Sequence, residues 1–247
     1  MKQHCLLYSI FFFLILQFSC SHYTQINYNA ENLRINSAGE DSSIIKIIQP
    51  YKNELSGEMN EVIGYVEADM RKMKPESGLG NFVCDVLLKE GVETYNMPID
   101  FAVYNYGGIR LDAIYAGVLT RGKIFELLPF ENFGVIVTLD AESTARLIQK
   151  IVDEGGWPVA GISFFIESGK AYNIKINNMP FDTTATYRVI MNDYMANGGD
   201  KLDFLVDKEN NFLGATIRDI VLNYIEKENA AGKNITTVLD GRIKYAE

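Results

Sequence analysis

The segment YNYGGIR places an amide, Asn105, and a guanidinium, Arg110, on either side of two glycines. It follows an apolar run at Ile99 and 101–103, so we expect the chain to leave a strand and turn there. Adjacent glycines cost entropy when they are ordered, but they let the backbone approach a ligand closely. The planar fork of an arginine binds phosphate or carboxylate. Taken alone, the segment fits an ordinary turn as well as an anion site.

Two further loops combine an aromatic ring with polar side chains. In LLPFENF, Pro129 restricts the backbone next to Phe130, and Asn132 lies two residues further on. In MNDYMANGGDKLDFL, Tyr194 begins a glycine-rich loop that reaches Asp200. Each loop also has a simpler interpretation: the first as a hydrophobic loop tucked into the core, the second as a turn with a surface tyrosine.

Together, the three loops describe a pocket for a nucleoside or a nucleotide. Phe130 and Tyr194 can hold a flat base between their rings, and stacking contributes roughly 1–3 kcal/mol per base. Asparagine amides suit a base edge, a carboxylate suits the ribose hydroxyls, and a guanidinium suits a phosphate. The polar residues of this predicted site are Asn105, Asn132, Asp200 and Arg110.

The sequence excludes several kinds of catalysis. Its two histidines, His4 and His22, precede the predicted folded region, which excludes imidazole-based metal sites and Ser-His or Cys-His nucleophiles. There is no P-loop, and no G-x-G-x-x-G follows a strand. The 32 acidic residues include no pair at a telling spacing, although composition alone does not exclude paired-carboxylate chemistry. We therefore predict no catalytic residue, metal site or cofactor in this chain.

The elements that must position these loops form an α+β pattern. Apolar spacing predicts helices at 78–95, 141–153 and 214–229, a short helix at 120–127, and a helix before a strand near 61–68. Further strands are predicted at 99–104, 133–139 and in ISFFIES, AYNIKIN and ATYRVIMND, and LDAIYAG is helix-like. Within the first of these helices, NFVCDVLL makes Cys84 a core residue. Helices and strands that do not alternate strictly favour one α+β domain.

Composition limits the partners of this domain. The chain has 247 residues, 47% of them hydrophobic, which is enough for a sizeable core. Its formal net charge is −9, with 23 Lys+Arg against 32 Asp+Glu, and no basic block is present. A charge of this sign argues against nucleic-acid binding through the phosphates. An anionic ligand therefore needs a local site built from a few cations.

The N-terminus predicts export. The segment LLYSIFFFLILQF has the length of a signal-peptide h-region and is too short to span a membrane. It ends at LQFSC, so we expect a lipoprotein-type signal peptide over 1–19, lipidation of Cys20, a tether over 20–43 and a domain over 44–247. An ordinary cleaved signal peptide and a retained anchor are the alternatives. The expected location is the cell envelope, lipid-anchored on an extracytoplasmic face, periplasmic or at the surface.

The order of these motifs resembles the C-terminal domain of the 5′-nucleotidase family. The motif N-x-G-G-I-R is followed by P-F-x-N and then by an aromatic residue before A-x-G-G-D, and ESGLGNFVCDVLL and YAGVLTRGKIFELLPF look similar too. The resemblance covers residues 44–245. It implies a layered α/β/β/α arrangement and a domain whose task is substrate recognition.

Carried over by position, the resemblance implies a role for each site residue. Phe130 and Tyr194 would stack on the base, and Tyr194 stands where phenylalanine is common. The ribose and phosphate side would be contacted by Arg110, and the ribose hydroxyls by Asp200. Asparagines at 105 and 132 would lie near the base, as would Gly161 in VAGISF, where the glycine lets the backbone pass close to the base. Met73 replaces an arginine that family members often carry, with Lys74 next to it, and this departure bears on the strength of phosphate binding.

The resemblance also predicts what this chain lacks. The family's enzymes carry an N-terminal metallophosphatase domain with two metal ions, and we expect no such domain between Cys20 and Ile44. The expected partner is a separate metallophosphatase chain, and divalent metals are expected only there. Two alternatives stay open: a stand-alone nucleoside-binding envelope lipoprotein without enzymatic role, and a structural module whose pocket has decayed.

Overall fold

A computed structural model describes residues 41–95 and 97–246. Over these residues the chain forms six α-helices and thirteen β-strands. The helices are α1 Ser42–Met59, α2 Gly78–Tyr95, α3 Arg121–Leu127, α4 Ala141–Asp153, α5 Asp193–Ala196 and α6 Ile217–Ala230. The strands are β1 Val62–Val66, β2 Met70–Arg71, β3 Phe101–Val103, β4 Ala113–Ile114, β5 Gly117–Thr120, β6 Phe133–Asp140, β7 Val159–Ala160, β8 Ile162–Glu167, β9 Lys170–Ile176, β10 Met179–Pro180, β11 Thr186–Asn192, β12 Asn210–Thr216 and β13 Ile243–Tyr245.

A five-stranded sheet with the order β12-β6-β11-β3-β7 lies at the centre of the fold. Strand β3 runs parallel to β11, with Phe101 opposite Val189, and β6 runs antiparallel to β11, with Gly134 opposite Asn192. The carboxyl ends of β3 and β11 and the amino end of β6 therefore meet at one edge of the sheet. That edge receives all three predicted site loops.

Successive residues of a strand point to opposite faces of the sheet, so each face packs against its own set of elements. On one face, Ile136 packs with residues of α2 and α6, including the buried Cys84. On the other face, Val135 and Val137 pack with α4 and with a second sheet of order β10-β9-β8-β13. Helices and mixed sheets in these layers confirm the predicted α+β class.

Helix α4 follows its sequence signals closely. Asp140 caps it by accepting a hydrogen bond from Ser143 N at 2.7 Å. Its apolar side chains Leu147, Ile148 and Ile151 are buried in the core. The helix ends as predicted, where Gly155 turns the chain with a φ of +77°.

Two local predictions are wrong. The segment LDAIYAG contains strand β4, which pairs with β2 through Ile114 and Met70, so a long-range pairing overrides its helix-like pattern. Helix α6 begins at Ile217, not at 214, because Thr216 pairs with Phe133 as the last residue of β12. The Thr216 hydroxyl then caps α6 by accepting from Asp219 N at 3.1 Å.

The chain divides into two units, residues 1–46 and 47–247. Of the first unit the structure describes residues 41–46, which include the first turn of α1. The predicted signal peptide, the lipidation at Cys20 and the tether up to residue 40 lie outside the described residues. No helix in the described ranges has the length and apolar character needed to cross a membrane.

Candidate functional site

The site lies where the three loops meet at the edge of the central sheet. The loop after β3 begins at Asn105 and forms a 3-10 turn over Tyr106–Gly108. The Phe130 loop precedes β6, and Tyr194 lies in α5, directly after β11. Backbone contacts join the loops, because Arg110 N donates to Leu127 O at 2.9 Å. Sheet topology thus brings together side chains that are far apart in the sequence.

A cavity of about 220 Å³ opens between these loops. The residues that line it are Asn105, Gly107, Gly108, Phe130, Asn132, Tyr194 and Asp200. Phe130 and Tyr194 are each about half exposed, at 47% and 48%, so both rings are accessible to a ligand. Five of the seven residues predicted to bind substrate therefore share one cavity, while their contacts with a ligand stay predictions.

The other two predicted residues lie elsewhere. Arg110 is exposed beside the cavity, and its guanidinium carbon is 5.9 Å from the centre of the Phe130 ring. Gly161 instead lines a different and larger cavity, of about 470 Å³, together with Asp85 and Arg242. Its φ is +77°, and a side-chain carbon at this position would lie 2.6 Å from Asp100 O, so backbone packing explains the glycine. The structure does not bring Gly161 to the cavity of the two rings.

A chain of hydrogen bonds sets the polar side of the ring cavity. Asn192, which is fully buried, donates from Nδ2 to Asn105 Oδ1 at 3.0 Å. The amide of Asn105 is thereby oriented, and its Nδ2 donates to Asp200 Oδ2 at 2.6 Å. The Tyr194 hydroxyl donates to Asp200 Oδ1 at 3.3 Å and accepts from Asp200 N at 3.2 Å. Four polar side chains therefore hold one another in place before any ligand binds.

Glycine is required at two positions, one on the cavity wall and one next to the wall residue Asp200. A side-chain carbon on Gly108 would lie 2.5 Å from the ring of the buried Tyr104, and one on Gly199 would lie 2.5 Å from the ring of Tyr194. Asp200 follows with a φ of +54°, in the left-handed region that non-glycine residues rarely adopt. Strained residues of this kind cluster at ligand sites, and here the bonds to Asn105 and Tyr194 compensate the strain.

Two polar groups beside the cavity are available to a ligand. The side-chain amide of Asn132, which is partly exposed at the cavity wall, makes no hydrogen bond with any residue that the structure describes. Likewise, the guanidinium of Arg110 forms no salt bridge within residues 41–95 and 97–246. An amide and a guanidinium in this state suit a base edge and an anion, respectively.

A partly buried lysine, Lys72, stabilises the glycine turn at 106–109. Lys72 Nζ donates to Tyr106 O at 3.1 Å and to Ile109 O at 2.7 Å, so it holds both ends of the turn. Burial lowers the pKa of Lys72, and the neighbouring charge of Arg110 lowers it further, although Asp112 opposes the shift. Burial shifts the pKa of Tyr106 in the opposite direction and raises it to about 12. This tyrosine therefore stays neutral at physiological pH.

The segment that carries Met73 wraps around the same tyrosine. Met73 is exposed, and its carbonyl accepts a hydrogen bond from the Tyr106 hydroxyl. Lys74 directs its ammonium to Glu154 O at the end of α4. Both lysines next to Met73 are thus engaged by backbone carbonyls, whereas the guanidinium of Arg110 beside the cavity makes no such bond within the described part of the chain.

Asn192 and Lys72 are not among the residues that the sequence predicted for the site. Asn192 has a signal in the sequence, because an asparagine that ends an apolar strand before Asp193 and Tyr194 is a good N-cap, and its Oδ1 does accept from Met195 N at 2.8 Å. Lys72 has no such signal. Its role depends on the approach of the turn at 106–109, which only the tertiary structure shows.

The arrangement is suited to binding. Two accessible rings, an oriented amide and carboxylate, and a free guanidinium are groups whose chemistry suits a flat heterocycle with polar and anionic substituents. Burial raises the pKa of the Cys84 thiol far above its usual range, so this thiol is a core group and a poor nucleophile. Within the described ranges no group of three or more His, Cys, Asp or Glu side chains is placed to hold a metal ion.

Comparison with known proteins identifies the family of this chain. Residues 61–207 match the model of the family "5′-nucleotidase, C-terminal domain". Protein UshA of Yersinia enterocolitica is 29% identical over 202 residues, which cover 77% of this chain and 35% of that protein. The cell wall protein Lmo0130 of Listeria monocytogenes is 28% identical over 249 residues, which cover 90% of this chain and 31% of that protein.

A solved structure shows the same fold. The 5′-nucleotidase precursor from Thermus thermophilus superimposes with a TM-score of 0.71 at 25% identity, covering 85% of this chain and 44% of that one. The chain thus spans between about a third and under a half of the length of these three proteins. Since the family model matches more than half of its residues, the chain belongs to the family of the 5′-nucleotidase C-terminal domain.

Proposed function

We propose that this chain is the nucleotide- or nucleoside-recognition part of a 5′-nucleotidase-type phosphohydrolase. The base binds between Phe130 and Tyr194, the ribose hydroxyls bind to Asp200, and the phosphate side faces Arg110. The observation that carries the proposal is the single cavity lined by both rings and by the linked amide and carboxylate of Asn105 and Asp200.

In this proposal the chain does not cleave phosphate by itself. A separate metallophosphatase chain supplies the divalent metals and the attacking water, and this chain presents the nucleotide to it. The sequence of the predicted domain supports this division of labour, because residues 44–247 contain no histidine.

The test is to assay AMP hydrolysis by the purified chain, with and without Mg²⁺, Mn²⁺ or Zn²⁺, and then by complexes isolated with it from native membranes. We expect no turnover by the chain alone, and turnover by the complex that falls when Phe130 is replaced by alanine. Metal-dependent turnover by the clean single chain would contradict the proposal. So would turnover by the complex that is indifferent to Phe130.

A second function is a stand-alone nucleoside-binding envelope lipoprotein. The state of the cations favours it, because Lys72 and Lys74 donate to backbone carbonyls and Met73 stands where the family often has arginine. A pocket that has Arg110 but lacks the second arginine gains less binding free energy from a phosphate than a pocket with both arginines. Calorimetry separates the two functions: adenosine binding as tight as AMP binding, unchanged by a metallophosphatase chain, favours the second.

The proposed location is outside the cytoplasm, with the chain anchored by a lipid on Cys20. The apolar N-terminal segment before LQFSC supports it, as does the name of the Listeria relative, a cell wall protein. Radiolabelled palmitate tests the anchor directly. The label should enter the wild-type chain and be lost from Cys20→Ser.

A further inference from the structure

Arg218 is a buried cation in the first turn of α6, beneath the loop that carries Phe130. Its side chain is only 10% exposed. One terminal nitrogen, Nη1, donates to Leu128 O at 3.4 Å and to Pro129 O at 3.2 Å. The other, Nη2, lies 3.7 Å from the Glu131 carboxylate. The guanidinium thus contacts the two residues before Phe130 and the residue after it.

The start of α6 also holds the far side of this loop. Ile217 N donates to Asn132 O at 2.8 Å. Phe130 itself belongs to neither hydrophobic core and is 47% exposed, so core packing does not fix its ring. The position of the ring therefore depends on the backbone at 128–132, and that backbone is held by Arg218 and Ile217.

Stability alone is a weak reason for an arginine at this position. Burying a guanidinium costs free energy unless its donors are satisfied, and Arg218 Nε has no partner among the described residues. The guanidinium carbon is 4.3 Å from the centre of the Phe125 ring, a contact that an apolar side chain of similar length would also make. Only a charged fork, however, reaches two carbonyls and a carboxylate on one loop.

We propose that Arg218 is a positioning residue that sets the pose of Phe130 for stacking on the base. The inference rests on the proposed function, because it assumes that the base stacks on Phe130. Arg218 does not line the ring cavity, so its effect on binding passes through the loop and the ring.

A double-mutant cycle tests the proposal with adenosine as the probe. Arg218→Met keeps most of the length of the side chain and the contact with Phe125 but removes the donors. We expect it to weaken adenosine binding about tenfold, as the loss of a charged hydrogen bond does. Arg218→Lys should recover part of the affinity. In the Phe130→Ala background, Arg218→Met should cause no further loss, because the ring that it positions is gone.

Arg242→Met is the matched control, because Arg242 is also a buried cation but lines the other cavity, where Asp85 and Asp240 hold it. It should lower thermal stability without changing adenosine affinity. Should Arg218→Met fail to fold, Arg218→Lys completes the cycle with the same expectation at smaller amplitude. Losses that multiply in the double variant, or wild-type affinity in folded Arg218→Met, overturn the positioning role. If Arg218→Met does not fold, wild-type affinity in Arg218→Lys overturns it instead. Full affinity in Phe130→Ala overturns the proposed function as well.

Discussion

Asn192 Nδ2 lies 3.0 Å from Asn105 Oδ1, and this contact decides which way the Asn105 amide faces. With its oxygen taken, Asn105 presents its nitrogen to Asp200 Oδ2 at 2.6 Å. Because Asn192 is fully buried at the end of β11, this orientation is built into the fold. The carboxylate that we assign to the ribose is thus held before a ligand arrives, which lowers the ordering cost of binding.

The first prediction concerns Asn105→Asp, which is nearly isosteric. The replacement sets a carboxylate oxygen against Asp200 Oδ2, and two carboxyl groups this close share a proton. We expect adenosine affinity to fall about tenfold at pH 8 and to recover largely at pH 5, where the pair holds a proton. Calorimetry at both pH values measures it.

Asn105→Ala serves as the comparison for this experiment. It removes the bond to Asp200 without adding a charge, so it should weaken binding to a similar extent at both pH values. Equal affinity of Asn105→Asp and wild type at pH 8 would show that the Asn105–Asp200 contact has no part in binding.

The second prediction separates the ring of Tyr194 from its hydroxyl. Tyr194→Ala removes the stacking surface and should cost roughly 1–3 kcal/mol of adenosine binding. Tyr194→Phe keeps the ring and loses only the bonds to Asp200, so its loss should be less than about fivefold. Titration calorimetry gives both values, and a larger loss for Phe than for Ala would rule out stacking by this residue.

The third prediction concerns the close approach of Gly199 to Tyr194. A side-chain carbon at Gly199 would lie 2.5 Å from the tyrosine ring, so Gly199→Ala must displace the ring or the loop. We expect adenosine binding to weaken at least about tenfold while the fold is retained, since the loop lies at the surface. Gly57→Ala in α1 is the control, because no atom lies within 4 Å of its side-chain position. Unchanged affinity in Gly199→Ala would mean that the ring pose does not matter.

The fourth prediction concerns acid stability at Asp140. Lys208 and the capping bond from Ser143 hold the pKa of Asp140 well below its ordinary value of 3.8. A lowered carboxyl pKa contributes stability that is fully present above the ordinary value and is lost as the pH falls below it. Asp140→Asn keeps a capping oxygen but does not titrate. The stability difference between wild type and Asp140→Asn in urea should therefore shrink from pH 6 to pH 2, and a constant difference would contradict this account.

Sequence patterns predicted the site loops because each loop directly follows or precedes an apolar strand. Phe130 follows a proline, Asp200 follows two glycines, and Tyr194 begins the same glycine-rich loop, and each has a side chain suited to a nucleoside. These local patterns predicted the loops because the loops lie at the edge of the sheet, where no pairing with a distant strand changes their conformation. Helix α4 was predictable for the same reason, since its cap, apolar face and terminal glycines are all local.

The features of the fold and the site that the sequence did not predict depend on contacts between distant segments. The parallel pairing of β3 with β11 joins Phe101 to Val189, and nothing near either residue in the sequence specifies it. Thr120 occupies the N-cap position of α3, but its side chain makes no capping bond. The supporting residues Lys72 and Arg218 act on carbonyls of distant segments, so residue type alone could not assign them.

The central claim is that a nucleoside base binds between Phe130 and Tyr194, and saturation-transfer NMR with millimolar adenosine tests it most directly because the method also detects weak binding. The chain should transfer saturation mainly to the base protons H2 and H8. This transfer should be lost in Phe130→Ala and in Tyr194→Ala, and it should persist in Tyr172→Ala, which removes an exposed ring on the second sheet. Base-proton transfer that survives loss of either cavity ring, or no transfer from the folded wild-type chain, would contradict the claim.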